Sequence, residues 1–352
     1  MEKKIPFSKI GSISQLAGIR HYQFADGKAK GVEAAEVHTG GGLTFTVLPG
    51  RGMDIAWTEY KGTPVNYMSK SGVVAPAYYH ADGMDWLFGF FAGTVTTCGL
   101  LNVGGPEKIT HPVIGNRTLG LHGRITHNAA EQVSLFEDFV DGEYVMKVSG
   151  LVREGILHGE SLTMRREITT KYGAKSFTVR DTVTNHSQYN QDIMLLYHIN
   201  IGYPVLDAGS RLIADSVSYH GLSDEANADP ESPFVFGEPV LAKTERCYSH
   251  TFRPAEDGLV HLALVNDRQH LGVALTFDPK ELPAFNEWKM MNEQEYVVGL
   301  EPGTALPCGY QKAKESGGID TLAPHESKTY GFTYTVLDGD EEIRSFEKQY
   351  KH

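Results

Sequence analysis

The sequence predicts an all-β fold of large antiparallel sheets with few short helices, and three observations carry that expectation. Glycine supplies 38 of 352 residues and aromatics 10%, a mix suited to turns and half-buried strands more than to a helix bundle. Runs rich in Val, Thr and aromatics come in pairs around turn residues. Residues 133–140 and 143–152 flank Asp141-Gly142, and 162–170 and 176–185 flank Tyr172-Gly173-Ala174-Lys175. Asp-Gly favours the primed turns whose twist matches paired strands. Polar and apolar side chains alternate through 177–183, the period of a strand with one wet face.

The same texture occurs on both sides of this meander. Residues 43–48 and 53–60 flank Pro49-Gly50-Arg51-Gly52, and 259–265, 271–278, 296–300 and 328–337 continue the series. Residues 81–91 predict a short aromatic helix, and 339–350 a charged C-terminal one. No interior linker, low-complexity run or internal repeat divides the chain. A single unit over 1–352 is expected, with the N-terminal 40 or so residues and the helix at 339–351 peripheral.

Composition excludes several classes of function. The 32 basic and 44 acidic side chains give a net charge of −12, which argues against binding nucleic acid through its phosphates. No run of 18 apolar residues suggests a membrane span, and the N-terminus lacks the apolar core of a signal peptide. Cys98, Cys247 and Cys308 are odd in number and far apart, as expected of reduced thiols in the cytoplasm. Dinucleotide, P-loop, zincin and nucleophile-elbow motifs are missing. None of the 15 histidines sits at a ligand spacing with Cys or acidic partners, so neither a metal nor another cofactor is expected.

Candidate site residues are polar groups at positions where a strand should be dry. In Met194-Leu-Leu-Tyr-His-Ile-Asn-Ile-Gly, alternation puts Leu195, Tyr197, Ile199 and Ile201 on one face, and Met194, Leu196, His198 and Asn200 on the other. Both faces begin apolar, so His198 and Asn200 must find partners or line a pocket. Glu301 ends a strand beside Pro302, and a partly desolvated carboxyl there serves as a general base near neutrality. In Leu119-Gly-Leu-His-Gly-Arg-Ile a strand reading places His122 and Arg124 together on a face opened by glycine. Arg51 shares an apolar face with Met53, Ile55 and Trp57, and wants an anion or several acceptors. Trp288 and Lys289 put an aromatic beside a long donor, as in many sugar sites.

Together these segments resemble the aldose 1-epimerase (galactose mutarotase-like) superfamily, in its bacterial epimerase-like branch. The segments are Pro-Gly-Arg-Gly-Met-Asp-Ile (49–55), Gly-Leu-His-Gly-Arg-Ile (120–125), Leu-Tyr-His-Ile-Asn-Ile-Gly (196–202), Glu-Trp-Lys-Met-Met (287–291) and Val-Gly-Leu-Glu-Pro-Gly (298–303). The resemblance implies a galactose mutarotase-like β-supersandwich with the sugar in an open groove. It implies that His198 is the general acid at the ring oxygen, that Glu301 is the general base at the anomeric hydroxyl, and that His122 binds substrate. One step departs from mutarotases proper. They carry Asn-x-Arg before the His-Gly pair, whereas here Asn116 and Arg117 are adjacent and Arg124 follows it.

Exchange of α and β anomers needs a proton taken from O1, another delivered to O5, ring opening, rotation about C1–C2 and reclosure. One base and one acid, expected on opposite sides of the anomeric centre, suffice for this. The expected protein is therefore an isomerase of the aldose 1-epimerase type, a monomer or homodimer whose partner is a small-molecule sugar. Its substrate-binding residues would be His122, Arg124, Arg51, Asn200, Trp288 and Lys289. The alternatives are an isomerase or lyase acting on a modified sugar on the same scaffold, and a non-catalytic carbohydrate-binding module. Because no ligand-spaced cluster is present, protein treated with a chelator is expected to keep its activity and its calorimetric melting temperature. A fall in either that added metal restores would overturn that expectation.

Overall fold

The computed structural model describes residues 5–111, 113–228 and 232–351. Local turn chemistry behaves as the sequence predicts. Asp141 and Gly142 both take positive φ, 51° and 86°, as the two central residues of a type I′ turn must. They join strands Ala130–Val140 and Glu143–Gly155 in the register Val140 opposite Glu143. Strands Ser161–Lys171 and Ser176–Asn185 form the second hairpin, with Gly173 at φ 77° in its turn.

These four strands begin an eight-stranded antiparallel sheet that continues through Ser327–Asp338, Leu271–Phe277, Val260–Asn266 and Arg211–Ala214. A second sheet runs in the order Ser216–Gly221, Arg246–Phe252, Ala284–Asn292, Glu295–Gly303, Gln191–Ile201 and Asp320–Leu322, and Thr96–Leu100 also pairs with Gln191–Ile201. The two sheets pack face to face. The Tyr197 ring lies 4.9 Å from Phe332 of the opposite sheet, and Phe285 lies 6.0 Å from Phe277. The all-β sandwich expected from the sequence is the one observed.

Two expectations are corrected. Residues 18–38 are not peripheral: Gly18–Gln23 and Glu33–His38 belong to a five-stranded sheet with Leu43–Leu48, Asp54–Tyr60 and Thr63–Pro64. Ala34, Ala35 and Val37 are fully buried there, because small side chains let the strand pack on both faces. Residues 81–91 form only a 3-10 turn, Asp85–Gly89, since Gly83 with φ 51° breaks the run before it. The C-terminal helix Asp340–Tyr350 does form, and Ile343 and Phe346, three apart, bury one face against Ile213, Ala263, Val265 and Ala274. No helix among the described residues is long and apolar enough to cross a membrane.

A buried ionic cluster lies between the sheets. Arg166 holds Asp181 with two bonds, Nε to Oδ1 at 2.8 Å and Nη2 to Oδ2 at 2.6 Å, and donates Nη1 to Asp54 Oδ1 at 3.1 Å. Tyr197 donates to Asp181 at 2.8 Å, and the Thr97 and Thr126 hydroxyls donate to Asp54 at 2.6 Å. Arg166, Asp54 and Asp181 are all 0% exposed. Removing the cation leaves two carboxylates stranded. Arg166→Met is therefore expected to cost about 3–5 kcal/mol of stability, measured as a lower denaturant midpoint. A change below about 1 kcal/mol would show that the cluster is dispensable.

Candidate active site

Strand Gln191–Ile201 presents its two faces to different surroundings. Tyr197 points into the ionic cluster, and its neighbour His198 therefore points to the opposite face of the sheet. The register pairs Ile199 with Leu300 on one neighbouring strand, and Asn286 with Glu301 on the next. His198, Glu301 and Asn286 thus lie in a line across the sheet. His198 Nε2 is 3.1 Å from Glu301 Oε1. That oxygen accepts no hydrogen bond among the described residues. Asn286 Nδ2 donates to the other oxygen, Oε2, at 2.6 Å. Gly299 makes room for the carboxyl, since a Cβ there would come within 2.4 Å of Oε1.

Aromatic rings cover the pair. Phe90 and Trp288 lie 5.0 and 5.2 Å from the His198 ring, and Trp86 stacks on Phe90 at 4.5 Å. The His198 and Glu301 side chains are only 7% and 2% exposed. Burial drives their pKa values in opposite directions, because it penalises each charged form. Glu301 is pushed up to about 8. His198 is pushed down to about 3, by burial first and by the nearby His122 second. Between those values the pair holds a single proton, on the carboxyl, and neither member is charged.

His122 also reaches this chamber, with its ring 6.2 Å from His198 and 4.8 Å from Trp86. It does so from a turn, not from a strand as the alternation of 119–125 suggests. The strand ends at Leu119, and His122 and Gly123 take φ 52° and 70°. Its Nδ1 accepts from Gly104 N at 3.2 Å, which leaves the proton on Nε2. Burial lowers its pKa to about 4.

The other expected substrate-binding residues divide into two groups. Asn200 and Trp288 are at the site. Asn200 donates to the His198 carbonyl at 2.8 Å, and Trp288 is braced by Nε1 on Glu245 at 2.8 Å. Three cations are engaged elsewhere, which corrects the expectation that they face the groove. Arg51 is 0% exposed and gives its donors to the carbonyls of Thr126, Val74 and Gly89, so it takes several acceptors and no anion. Lys289 is on the opposite strand face from Trp288 and donates to the carbonyls of Ser232 and Val235. Arg124 caps a turn and lies 3.7 and 3.3 Å from Glu154 and Glu160. Sequence reasoning missed Asn286 and Gly299, although both share the strand faces of residues it did select. It also missed Trp86 and Phe90, which arrive from a distant turn. Among the described residues, no three His, Cys, Asp or Glu side chains converge as metal ligands.

Comparison with known proteins agrees with this architecture. Residues 29–336 match the family described as "Domain of unknown function (DUF4432)". No curated protein matches the chain. Among solved structures, a protein of Klebsiella pneumoniae subsp. pneumoniae MGH 78578, provisionally named an aldose 1-epimerase, is 26% identical with a TM-score of 0.87. That match covers 94% of this chain and 86% of the other. A galactose mutarotase-like protein from Clostridium acetobutylicum is 12% identical with a TM-score of 0.60, over 92% and 99% of the two chains. A galactose 1-epimerase from Lactobacillus acidophilus NCFM is 11% identical with a TM-score of 0.58, over 92% and 99%. The fold is galactose mutarotase-like.

The Asn286 hydrogen bond favours the ionised carboxyl and so holds the Glu301 pKa below the value that burial alone would set. A side-chain carbon NMR titration of Glu301 should have its midpoint near pH 8. In Asn286→Ala the midpoint should rise by about one to two units, the worth of one bond to a charged acceptor. A midpoint near the ordinary carboxyl value in the parent protein would mean that the chamber is wet.

Proposed function

The chain belongs to the DUF4432 family, whose description assigns no activity, and on the geometry of its buried His198–Glu301 pair we propose that it interconverts the anomers of a neutral aldose. The observation that carries this reading is the buried pair of His198 and Glu301, 3.1 Å apart, where burial lowers the pKa of the one and raises that of the other. The name given to the Klebsiella relative supports it. The two groups stand side by side, so the expectation of an acid and a base on opposite sides of the anomeric centre is replaced. Both oxygens that must exchange protons are bonded to the same carbon, and a pair on one side of the sugar reaches both.

In this reading His198 protonates the ring oxygen while Glu301 takes the proton of the anomeric hydroxyl. The C1–O5 bond breaks and C1–O1 becomes a carbonyl. Rotation about C1–C2 and the reverse transfers close the ring on the other face and restore both groups. The assignment requires the shared proton to sit on His198 when sugar is bound. Sugar hydroxyls donating to Glu301 favour its ionised form, and the short gap allows direct transfer. Trp288 offers an aromatic wall beside the pair. Arg51, Lys289 and Arg124 are held by other partners, so none of these three cations is offered to an acidic or phosphorylated sugar.

Anomer exchange measured by NMR across a panel of neutral aldoses tests the reading. His198→Asn and Glu301→Gln are each expected to slow exchange of the best substrate by at least about 10²-fold, with the melting temperature retained. If either variant exchanges at the parent rate, that residue has no role in proton transfer. If the parent protein accelerates no aldose, the site is a binding site or works on another sugar chemistry.

A further inference from the structure

Asn200 is fully buried and stands two residues from His198 on the same strand face. Its amide is oriented by its own strand, because Nδ2 donates to the His198 carbonyl at 2.8 Å. With the nitrogen committed there, the oxygen is the end left for the site. Asn200 Oδ1 and His198 Nδ1 are both enclosed, and no third group among the described residues bonds either of them. Two such atoms are costly when unmet and complementary when one donates to the other. The ring's acidity reflects an acceptor beside it. Burial and then His122 lower the His198 pKa to about 3, while the Asn200 side chain opposes them by favouring the protonated ring.

The amide orientation discriminates between the two neutral tautomers of the ring. A neutral imidazole carries its proton on one nitrogen and a lone pair on the other. With the proton on Nε2, Nδ1 and Asn200 Oδ1 would confront each other with lone pairs. With the proton on Nδ1, the ring donates to the amide oxygen, and Nε2 offers its lone pair to Glu301, whose Oε1 is 3.1 Å away. That is the arrangement a protonated carboxyl needs in order to donate to the imidazole. The bond made by one ring nitrogen thus decides what the other does. His122 is set the opposite way, since its Nδ1 accepts from Gly104 N at 3.2 Å.

We infer that Asn200 is the positioning residue of His198: its amide oxygen holds the ring proton on Nδ1 and leaves Nε2 as the nitrogen that exchanges a proton with Glu301. Asn200, expected from the sequence to bind sugar, serves the histidine instead. The tautomer is a property of the protein without sugar and does not depend on what the site turns over. Its consequence, that the proton given to a sugar ring oxygen leaves from Nε2, rests on the anomer-exchange reading above. The amide is neutral, so it orients the ring without the added support for imidazolium that a carboxylate in its place would give.

Ring-nitrogen NMR of the intact protein labelled at histidine tests this at about pH 6, between the His198 and Glu301 values of about 3 and about 8. The spectrum reads which nitrogen carries the proton, and His198 is expected as the Nδ1–H tautomer. Asn200→Ala should shift the tautomer ratio toward Nε2–H by about fivefold or more, the worth of one hydrogen bond. Asn200→Asp keeps an acceptor in place and adds a charge, so the His198 titration midpoint should rise by at least about one unit. A role in stability alone would lower the melting temperature of both variants and leave the tautomer unchanged. His198 found as Nε2–H in the parent protein overturns the assignment, and so does a tautomer ratio that Asn200→Ala leaves as it was. Where the alanine variant does not fold, the aspartate variant decides, and an unmoved midpoint overturns the assignment. No sugar enters these measurements, so the assignment can hold in a protein that exchanges no aldose, and can fail while the roles of His198 and Glu301 stand.

Discussion

The arrangement depends on one buried cation. Arg166, fully enclosed between the sheets, joins Asp181 of its own sheet to Asp54 of the N-terminal sheet. Tyr197, from the sheet that carries the site, closes the cluster on Asp181. A charge in such surroundings survives only if every donor has an acceptor, and that demand fixes three separately folded segments against each other to within hydrogen-bond tolerance. Thr97 and Thr126, bonded to Asp54, extend the constraint to the strand paired with His198 and to the turn after His122. The cluster lies on the strand face away from His198 and Glu301, but it determines where those two can stand.

Strand alternation turns this constraint into a site. Successive side chains leave opposite faces, so anchoring Tyr197 in the cluster obliges His198 to face outward. The same holds one strand over, where Leu300 packs in the core and Glu301 does not. Arg51 completes the chamber from a distance. By holding the carbonyls of Gly89 and Thr126, it fixes the turn that carries Trp86 and leads into Phe90. An arginine expected from the sequence to bind substrate instead holds the cover in place.

What was legible in the sequence is what short-range physics decides. Asp141-Gly142 specified its hairpin through φ alone, and the period of 194–202 put His198 and Asn200 together on the face away from Tyr197. Alternation failed at His122 because the glycines on both sides of it turn the chain, so residues two apart no longer share a face. It also said which side of a strand Lys289 and Arg51 occupy, but not which carbonyls come from elsewhere to meet them. Thr126 is 75 residues from Arg51, and Ser232 is 57 from Lys289. Two rings of the cover were out of reach for the same reason: Trp86 and Phe90 lie more than a hundred residues from His198, and nothing in 81–91 announces what they will rest on.

The cover has an electrostatic consequence beyond keeping water out. In water a glutamate titrates near 4.3 and a histidine near 6.5, so at neutral pH an exposed pair of this kind would be mostly ionised carboxylate and neutral imidazole, without a mobile proton. Under the rings of Phe90, Trp86 and Trp288 the carboxyl moves up to about 8, and the pair gains one proton. Under the anomer exchange proposed above, that proton is the one that acid–base chemistry would use: sugar hydroxyls donating to Glu301 would return the carboxyl toward its ionised form and leave the proton for the imidazole 3.1 Å away. The enclosure that keeps water from His198 and Glu301 is thus the same feature that raises the carboxyl and lowers the imidazole.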